Sequence, residues 1–80
     1  MIRVLFFGAA ADRAGTRETQ IEVEKEAAIV EIWPLLVERH PDLAPMGGTL
    51  AFAVNGEYAR GEDTVSPGDE VAVLPPVSGG

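Results

Sequence analysis

The first segment of the chain has the apolar pattern of a strand inside a sheet. Ile2, Val4 and Phe6 fall on one side of an extended chain, and Leu5 and Phe7 fall on the other. Because both sides are apolar, residues 2–7 are predicted to form a central strand.

An alanine-rich stretch lies between Gly8 and Gly15 and predicts one or two helical turns that end at a glycine C-cap. Residues 16–24 then predict a second strand. A short connection would place this strand antiparallel to the first.

The longest periodic segment predicts a helix over residues 29–40. Its apolar positions have the i, i+3, i+4, i+7 spacing of one buried helix face and are Ile29, Ile32, Trp33, Leu36, Val37 and His40. Pro41 predicts the end of the helix. Pro34 lies inside the pattern, where a proline costs ~3 kcal/mol. Either the first turn is distorted or the regular helix begins near Pro34.

Turn signals divide the second half of the chain into further strands. Residues 50–54 predict a strand, and Asn55-Gly56 predicts a type I′ hairpin turn, because that turn requires positive φ at both central positions. Residues 57–59 would return along the hairpin. A turn over residues 66–69 leads to a last strand over residues 70–74.

This order of elements predicts an α+β fold of the ubiquitin-like β-grasp type, a mixed sheet with one main helix across one face. The first and last strands would be parallel neighbours at the sheet centre. We assign residues 1–75 to the β-grasp domain and residues 76–80 to a flexible C-terminal Gly-Gly tail, with disorder expected from Val77 onward.

Composition narrows the function classes. The chain has 80 residues, a formal net charge of −7 and no cysteine. A nucleic-acid partner is therefore not expected, because duplex binding relies on basic side chains that neutralise phosphates. The absence of cysteine excludes a disulfide framework and a thiolate metal site. No signal peptide or membrane-spanning run is visible, so we expect a cytoplasmic protein without membrane contact.

Side chains suited to catalysis are scarce. His40 is the only histidine, and its place at the end of the helical stripe favours a structural role. The Glu62-Asp63 and Asp69-Glu70 pairs are typical of solvated loop and turn positions. No metal site and no bound cofactor are predicted, and the chain is interpreted as a substrate or carrier of another enzyme.

The last residues of the sequence suggest which group of this chain another enzyme would use. Glycine lacks a Cβ, so a terminal glycine pair can enter a narrow active site and present its carboxylate there. The glycine pair is preceded by two prolines and two small residues, and the whole segment after the last strand is Pro75, Pro76, Val77, Ser78, Gly79 and Gly80.

Three segments together resemble the small subunit of molybdopterin synthase, a ubiquitin-like sulfur carrier. They are residues 1–7 (MIRVLFF), residues 53–57 (AVNGE) and residues 68–80 (GDEVAVLPPVSGG). The resemblance runs the whole length of the chain, although Leu74 stands where many members have an aromatic residue.

The resemblance implies a sulfur-transfer cycle. Gly80 would be adenylated by an E1-like partner enzyme that uses ATP, and then converted to a thiocarboxylate. The tail would enter the large synthase subunit, which supplies the catalytic residues, and donate sulfur to a pterin precursor during molybdenum cofactor biosynthesis. A hetero-oligomer with the large subunit is expected, and the resemblance assigns Phe7, Tyr58 and Leu74 to partner binding.

Three alternatives remain open at this point. A thiamine-pathway sulfur carrier would share the fold and the tail, although such chains are shorter and place their Asn-Gly-Glu hairpin nearer the start. A ubiquitin-like protein modifier would join the same glycine to lysines. An interaction module would carry the terminal glycines by chance.

Overall fold

The computed structural model describes residues 1–75; the predicted tail, residues 76–80, lies outside them, and so does the prediction of its flexibility. The described strands are β1 (Ile2–Phe6), β2 (Glu18–Ile21), β3 (Ala27–Ala28), β4 (Ala51–Val54), β5 (Glu57–Ala59), β6 (Thr64–Val65) and β7 (Glu70–Leu74). The helices are α1 (Ala9–Ala14) and α2 (Ile29–Arg39), with a 3₁₀ helix over Pro41–Met46.

Five strands form the main sheet in the order β2-β1-β7-β4-β5. β1 and β7 are parallel and lie at its centre, whereas β2, β4 and β5 pair antiparallel with their neighbours. The predicted mixed sheet and its central parallel pair are confirmed. β3 and β6 form a separate two-stranded ribbon.

The core lies between the main sheet and α2. Side chains of β1 and β7 that point to one face meet the apolar stripe of α2. The buried cluster is Ile2, Val4, Phe6, Ala10, Ile21, Ile29, Ile32, Leu36, Leu43, Val65, Val71 and Val73. The fold is therefore the predicted β-grasp, with one main helix across one face of the sheet.

Helix α2 begins at Ile29 and continues through Pro34, so the alternative start near Pro34 is wrong. Its first turn is tied to a neighbouring loop: the N–H of Ile29 donates to the Asp63 carbonyl (3.0 Å) and that of Val30 to the Gly61 carbonyl (3.0 Å). These bonds satisfy N–H groups that a helix start leaves unpaired. Burial of Ile32 and Leu36 on either side of the proline offsets its cost.

Leu36 is fully buried, whereas its neighbour Leu35 is 39% exposed. We expect Leu36→Ala to lower the free energy of unfolding by about 3 kcal/mol, because it removes buried methyl groups and leaves a cavity. Leu35→Ala on the same helix should cost less than about 1 kcal/mol. Urea unfolding of both variants measures the difference, and equal losses would contradict the placement of the core.

Several predicted boundaries were wrong by one to three residues. β1 ends at Phe6 rather than Phe7, β2 covers only residues 18–21, α2 ends at Arg39 with His40 as its C-cap, and β4 begins at Ala51. β3, β6 and the 3₁₀ helix were not predicted. Each of the two short strands spans two residues, too few to show a period. Pro41 was interpreted only as the end of the main helix, and it is also the first residue of the 3₁₀ helix.

Two turns match their predicted chemistry. Asn55 and Gly56 have φ values of 50° and 87°, which fits the type I′ hairpin between β4 and β5. In the turn before β7, the N–H of Ser66 donates to the Asp69 carboxylate at 2.8 Å. This backbone bond, assisted by the side chain of Asn55, lowers the pKa of Asp69 from its usual value.

A lowered folded-state pKa gives Asp69 a stabilising role that is present above its unfolded pKa of about 3.9 and is lost as the pH falls through the lower folded value. We expect Asp69→Asn to be less stable than the wild type at pH 7, with the difference shrinking as the pH falls below about 4. Urea unfolding across this range tests the prediction, with Glu62→Gln as an exposed-carboxylate control. A difference that does not change with pH would contradict it.

Candidate functional site

The face of the main sheet opposite α2 carries apolar side chains that the core does not use. Strand alternation places them on one surface, which we call the open face: Leu5, Phe7, Ala51, Ala53, Tyr58, Ala72 and Leu74. Phe7 is 46% exposed and Tyr58 is 79% exposed. Large exposed apolar side chains on one surface are typical of an interaction site.

Strand register determines which of these residues are neighbours. Phe6 pairs with Val73, and the N–H of Phe7 donates to the Val73 carbonyl at 3.1 Å, so Phe7 and Leu74 lie side by side. Tyr58 pairs with Ala53 of β4, which pairs in turn with Ala72 of β7. Tyr58 therefore lies on the strand next to β4. The small side chains of Ala53 and Ala72 lie between it and the pair Phe7 and Leu74.

The point where the tail leaves the domain adjoins this surface. Leu74 ends β7, and the ring of Pro75 lies against Gly8, the residue between β1 and α1. Gly8 has φ 54° and ψ −131°, and a Cβ at this position would stand 3.0 Å from Pro75 Cγ. A glycine here thus allows both the backbone turn and the close approach of the proline.

The opposite end of the same face is charged. Arg3 lies between two carboxylates, with Nε 3.0 Å from Glu18 Oε2 and Nη1 3.6 Å from Glu70 Oε2. The hydrogen bond and charge of Glu18 hold the pKa of Arg3 above its usual value. The open face is therefore apolar near Pro75 and polar at the end that contains Arg3.

Within residues 1–75, no group of three or more His, Cys, Asp or Glu side chains is arranged to hold a metal ion. No helix in the same range is long and apolar enough to cross a membrane. His40 packs edge-on against Phe6, with ring centroids 5.5 Å apart, in keeping with a structural role. The feature of the described domain that suggests function is the open face beside the start of the tail.

Comparison with known proteins identifies the family. The ThiS family model matches residues 4–80. The chain belongs to the ThiS family.

Among curated relatives of this ThiS-family chain, the human molybdopterin synthase sulfur carrier subunit is 39% identical over 82 residues, covering 99% of this chain and 93% of the relative. The corresponding subunit of Chlamydomonas reinhardtii is 37% identical over 81 residues, covering 99% and 98%. The resemblance to the small subunit of molybdopterin synthase is confirmed.

Another relative of this ThiS-family chain has a different name. Small archaeal modifier protein 1 of Haloferax volcanii is 34% identical over 82 residues, covering 92% of this chain and 94% of the relative. Its crystal structure superposes with a TM-score of 0.86 and 31% identity, covering 99% and 98% of the two chains. The β-grasp fold is thereby confirmed.

The structure brings together part of the predicted site of this ThiS-family chain. Phe7, Leu74 and Pro75 are neighbours, and Tyr58 shares their face; their role in partner binding stays a prediction. Five predicted tail residues lie outside the described part: Pro76, Val77, Ser78, Gly79 and Gly80. The alanines of the open face and Gly8 were not predicted, because their significance follows from strand register and from the position of Pro75.

Proposed function

We propose that this chain is the sulfur carrier subunit of molybdopterin synthase, acting through the carboxylate of Gly80 in molybdenum cofactor biosynthesis. The observation that carries the proposal is the similarity to the human and algal sulfur carrier subunits over 99% of this chain. The family match also extends through Gly80. The open apolar face beside the start of the tail supports it from the structure.

Chemistry explains why the carrier needs a partner at each step. A carboxylate is a poor electrophile, so an adenylating enzyme of the E1-like class would join it to AMP from ATP, releasing pyrophosphate. A sulfur nucleophile would then displace AMP and leave a thiocarboxylate on Gly80. The chain supplies the terminal carboxylate and a domain by which partners recognise it, and it binds no cofactor itself.

The large synthase subunit would supply the catalytic residues and bind the open face. Six residues follow Leu74, so the Gly80 carboxylate can reach up to roughly 20 Å from the edge of the sheet. That reach allows Phe7, Tyr58 and Leu74 to bind the outer surface of a partner while Gly80 enters a buried site. The proposal places this hetero-oligomer in the cytoplasm.

Reconstitution tests the proposal. The purified chain is incubated with a candidate adenylating enzyme, ATP and a sulfur donor, and its intact mass is measured. We expect exchange of one carboxylate oxygen for sulfur at Gly80, dependent on ATP. The product should then support dithiolene formation when the large subunit and pterin precursor are added. Failure to acquire sulfur with any adenylating enzyme of the host would refute the proposal.

The archaeal relative named as a modifier protein favours a second candidate function, attachment of Gly80 to lysines of other proteins. An affinity-tagged chain expressed in its host would then form conjugates that survive thiol and denaturant, with a Gly-Gly remnant on target lysines. A sulfur carrier alone would give only the thiocarboxylate. The thiamine-pathway alternative predicts instead that deletion of the gene causes thiamine auxotrophy.

A further inference from the structure

Arginine and lysine differ in number and in position along this chain. Five are arginines, and the single lysine is Lys25. A lysine amine can lose its proton and attack an activated carboxyl group, whereas a guanidinium stays protonated and does not. The distribution of the two residue types therefore determines where an activated Gly80 could be captured.

Arginines surround the end of the domain from which the tail leaves. Arg17 lies opposite Phe6, whose N–H donates to the Arg17 carbonyl at 2.9 Å. Since β1 separates β2 from β7, Arg17 is two strand spacings, or about 10 Å, from Val73. On the other side, Arg60 follows Ala59, which pairs with Phe52, and Phe52 pairs with Val73. Arg13 lies in the last turn of α1, at the same end.

Lys25 lies at the opposite end. It lies in a bend between β2, whose last residue Ile21 pairs with Ile2 of β1, and β3, whose Ala27 pairs with Val65 of β6. β6 leads directly into Ser66 and Pro67. The next residue, Gly68, donates its N–H to the Met1 carbonyl at 2.8 Å, which marks the far end of the sheet. β7 alone, from Glu70 to Leu74, spans about 13 Å, so this end of the sheet is at least that far from Leu74.

The length of the tail determines how fast a lysine at each position could react with an activated Gly80. A tail of six residues spans roughly 20 Å when fully extended. A lysine within that span, beside the start of the tail, would meet Gly80 at an effective concentration in the mM range, which is the range for short linkers. Lys25 could be reached only by a tail that lay back along the sheet in a nearly extended form, so its effective concentration is far lower than that of a lysine beside the start of the tail.

We infer that the domain resists acylation by its own activated Gly80, because arginine and not lysine surrounds the start of the tail, and that Lys25 is the one side-chain amine through which a second copy can be joined. This inference rests on the proposed function, in which Gly80 is activated. In the coupling, the amine nitrogen of Lys25 forms an amide bond with the Gly80 carbonyl carbon. The carbon–oxygen bond to AMP breaks, AMP leaves with the electron pair, and the amine proton passes to solvent.

The test activates Gly80 without the adenylating enzyme. The chain is prepared with a C-terminal thioester by thiol cleavage of an intein fusion, and is held at pH 8.5 and about 10 μM, far below the mM effective concentration near the tail. Products are read by intact mass, where cyclisation gives a monomer one water lighter than the free acid. We expect the wild type to hydrolyse, and Arg17→Lys and Arg60→Lys to give at least a tenfold larger cyclised fraction.

Concentration separates the two halves of the inference. At about 1 mM, the wild type should form amide-linked dimers, and peptide mapping should place their side-chain link at Lys25. Lys25→Arg should lose that link, while Arg17→Lys combined with Lys25→Arg should still cyclise. Matching thermal unfolding of the variants shows that they fold.

Two results would overturn the inference. One is a cyclised wild-type monomer, linked at Lys25 or at Met1, in a fraction comparable to that of Arg17→Lys. The other is absence of cyclisation in both arginine-to-lysine variants. Repeating the incubation with adenylating enzyme and ATP distinguishes the two failures: lack of adenylation would count against the proposed function alone, because the thioester results stand without the enzyme.

Discussion

Removal of Gly80, or addition of one residue after it, is expected to abolish sulfur transfer while the domain stays folded. The reacting group in the proposed cycle is the carboxylate of Gly80 itself, so either change moves or blocks it. Residues 1–75 contain the whole described core, and a change at residue 80 removes none of its contacts.

The experiment compares the wild type, the chain lacking Gly80 and a chain with one added alanine, each in the reconstituted sulfur-transfer assay and in urea unfolding. Ser78→Ala serves as a control that alters the tail but keeps the terminal glycines. We expect no detectable thiocarboxylate for the chain lacking Gly80 or for the chain with one added alanine. We expect all variants to have the same urea unfolding midpoint as the wild type. Dithiolene formation by the chain lacking Gly80 would refute the carrier mechanism.

Substitution of Leu74 should have the second-largest effect, on binding to the large subunit. Leu74 lies beside Phe7 on the open face, next to the start of the tail. Truncation of a buried interface anchor costs ~2 kcal/mol, so Leu74→Ala should raise Kd by roughly 30-fold. Leu74→Glu should raise it more than about 100-fold, because it places an unpaired carboxylate in an apolar interface.

Leu35→Glu is the matched control, since Leu35 is also partly exposed but lies on α2, on the other side of the sheet. Calorimetric titration of each variant with the large subunit gives Kd, and urea unfolding shows that all three remain folded. Unchanged affinity in both Leu74 variants would move the docking surface elsewhere on the domain.

The sequence was sufficient for the fold because its strongest signals are local. The stripe of α2 and the Asn55-Gly56 turn each indicate one element, and the order of elements then allows few arrangements. The two-residue strands β3 and β6 exist only because they pair with each other, so neither has a signal of its own. The continuous helix through Pro34 depends likewise on packing against the sheet.

The site was partly predictable for a similar reason. Phe7 and Leu74 are large apolar residues at the ends of β1 and β7, Tyr58 lies in the short strand β5, and the family resemblance pointed to all three. The alanines between them have no local sequence signal, and only the register of β4 against β7 shows that they lie on one surface of the sheet. The contact of Gly8 with Pro75 joins residues far apart in sequence, and no local pattern encodes it.

The adjacency of Phe7 and Leu74 would also let the proposed partner enzymes distinguish a folded chain from an unfolded one. The two residues are 67 positions apart (74 − 7) and become neighbours only when the first and last strands pair. An unfolded or truncated chain could display the same terminal glycines but could not present these side chains together. An adenylating partner that binds this composite surface would therefore use ATP to modify intact carriers and leave damaged chains unmodified.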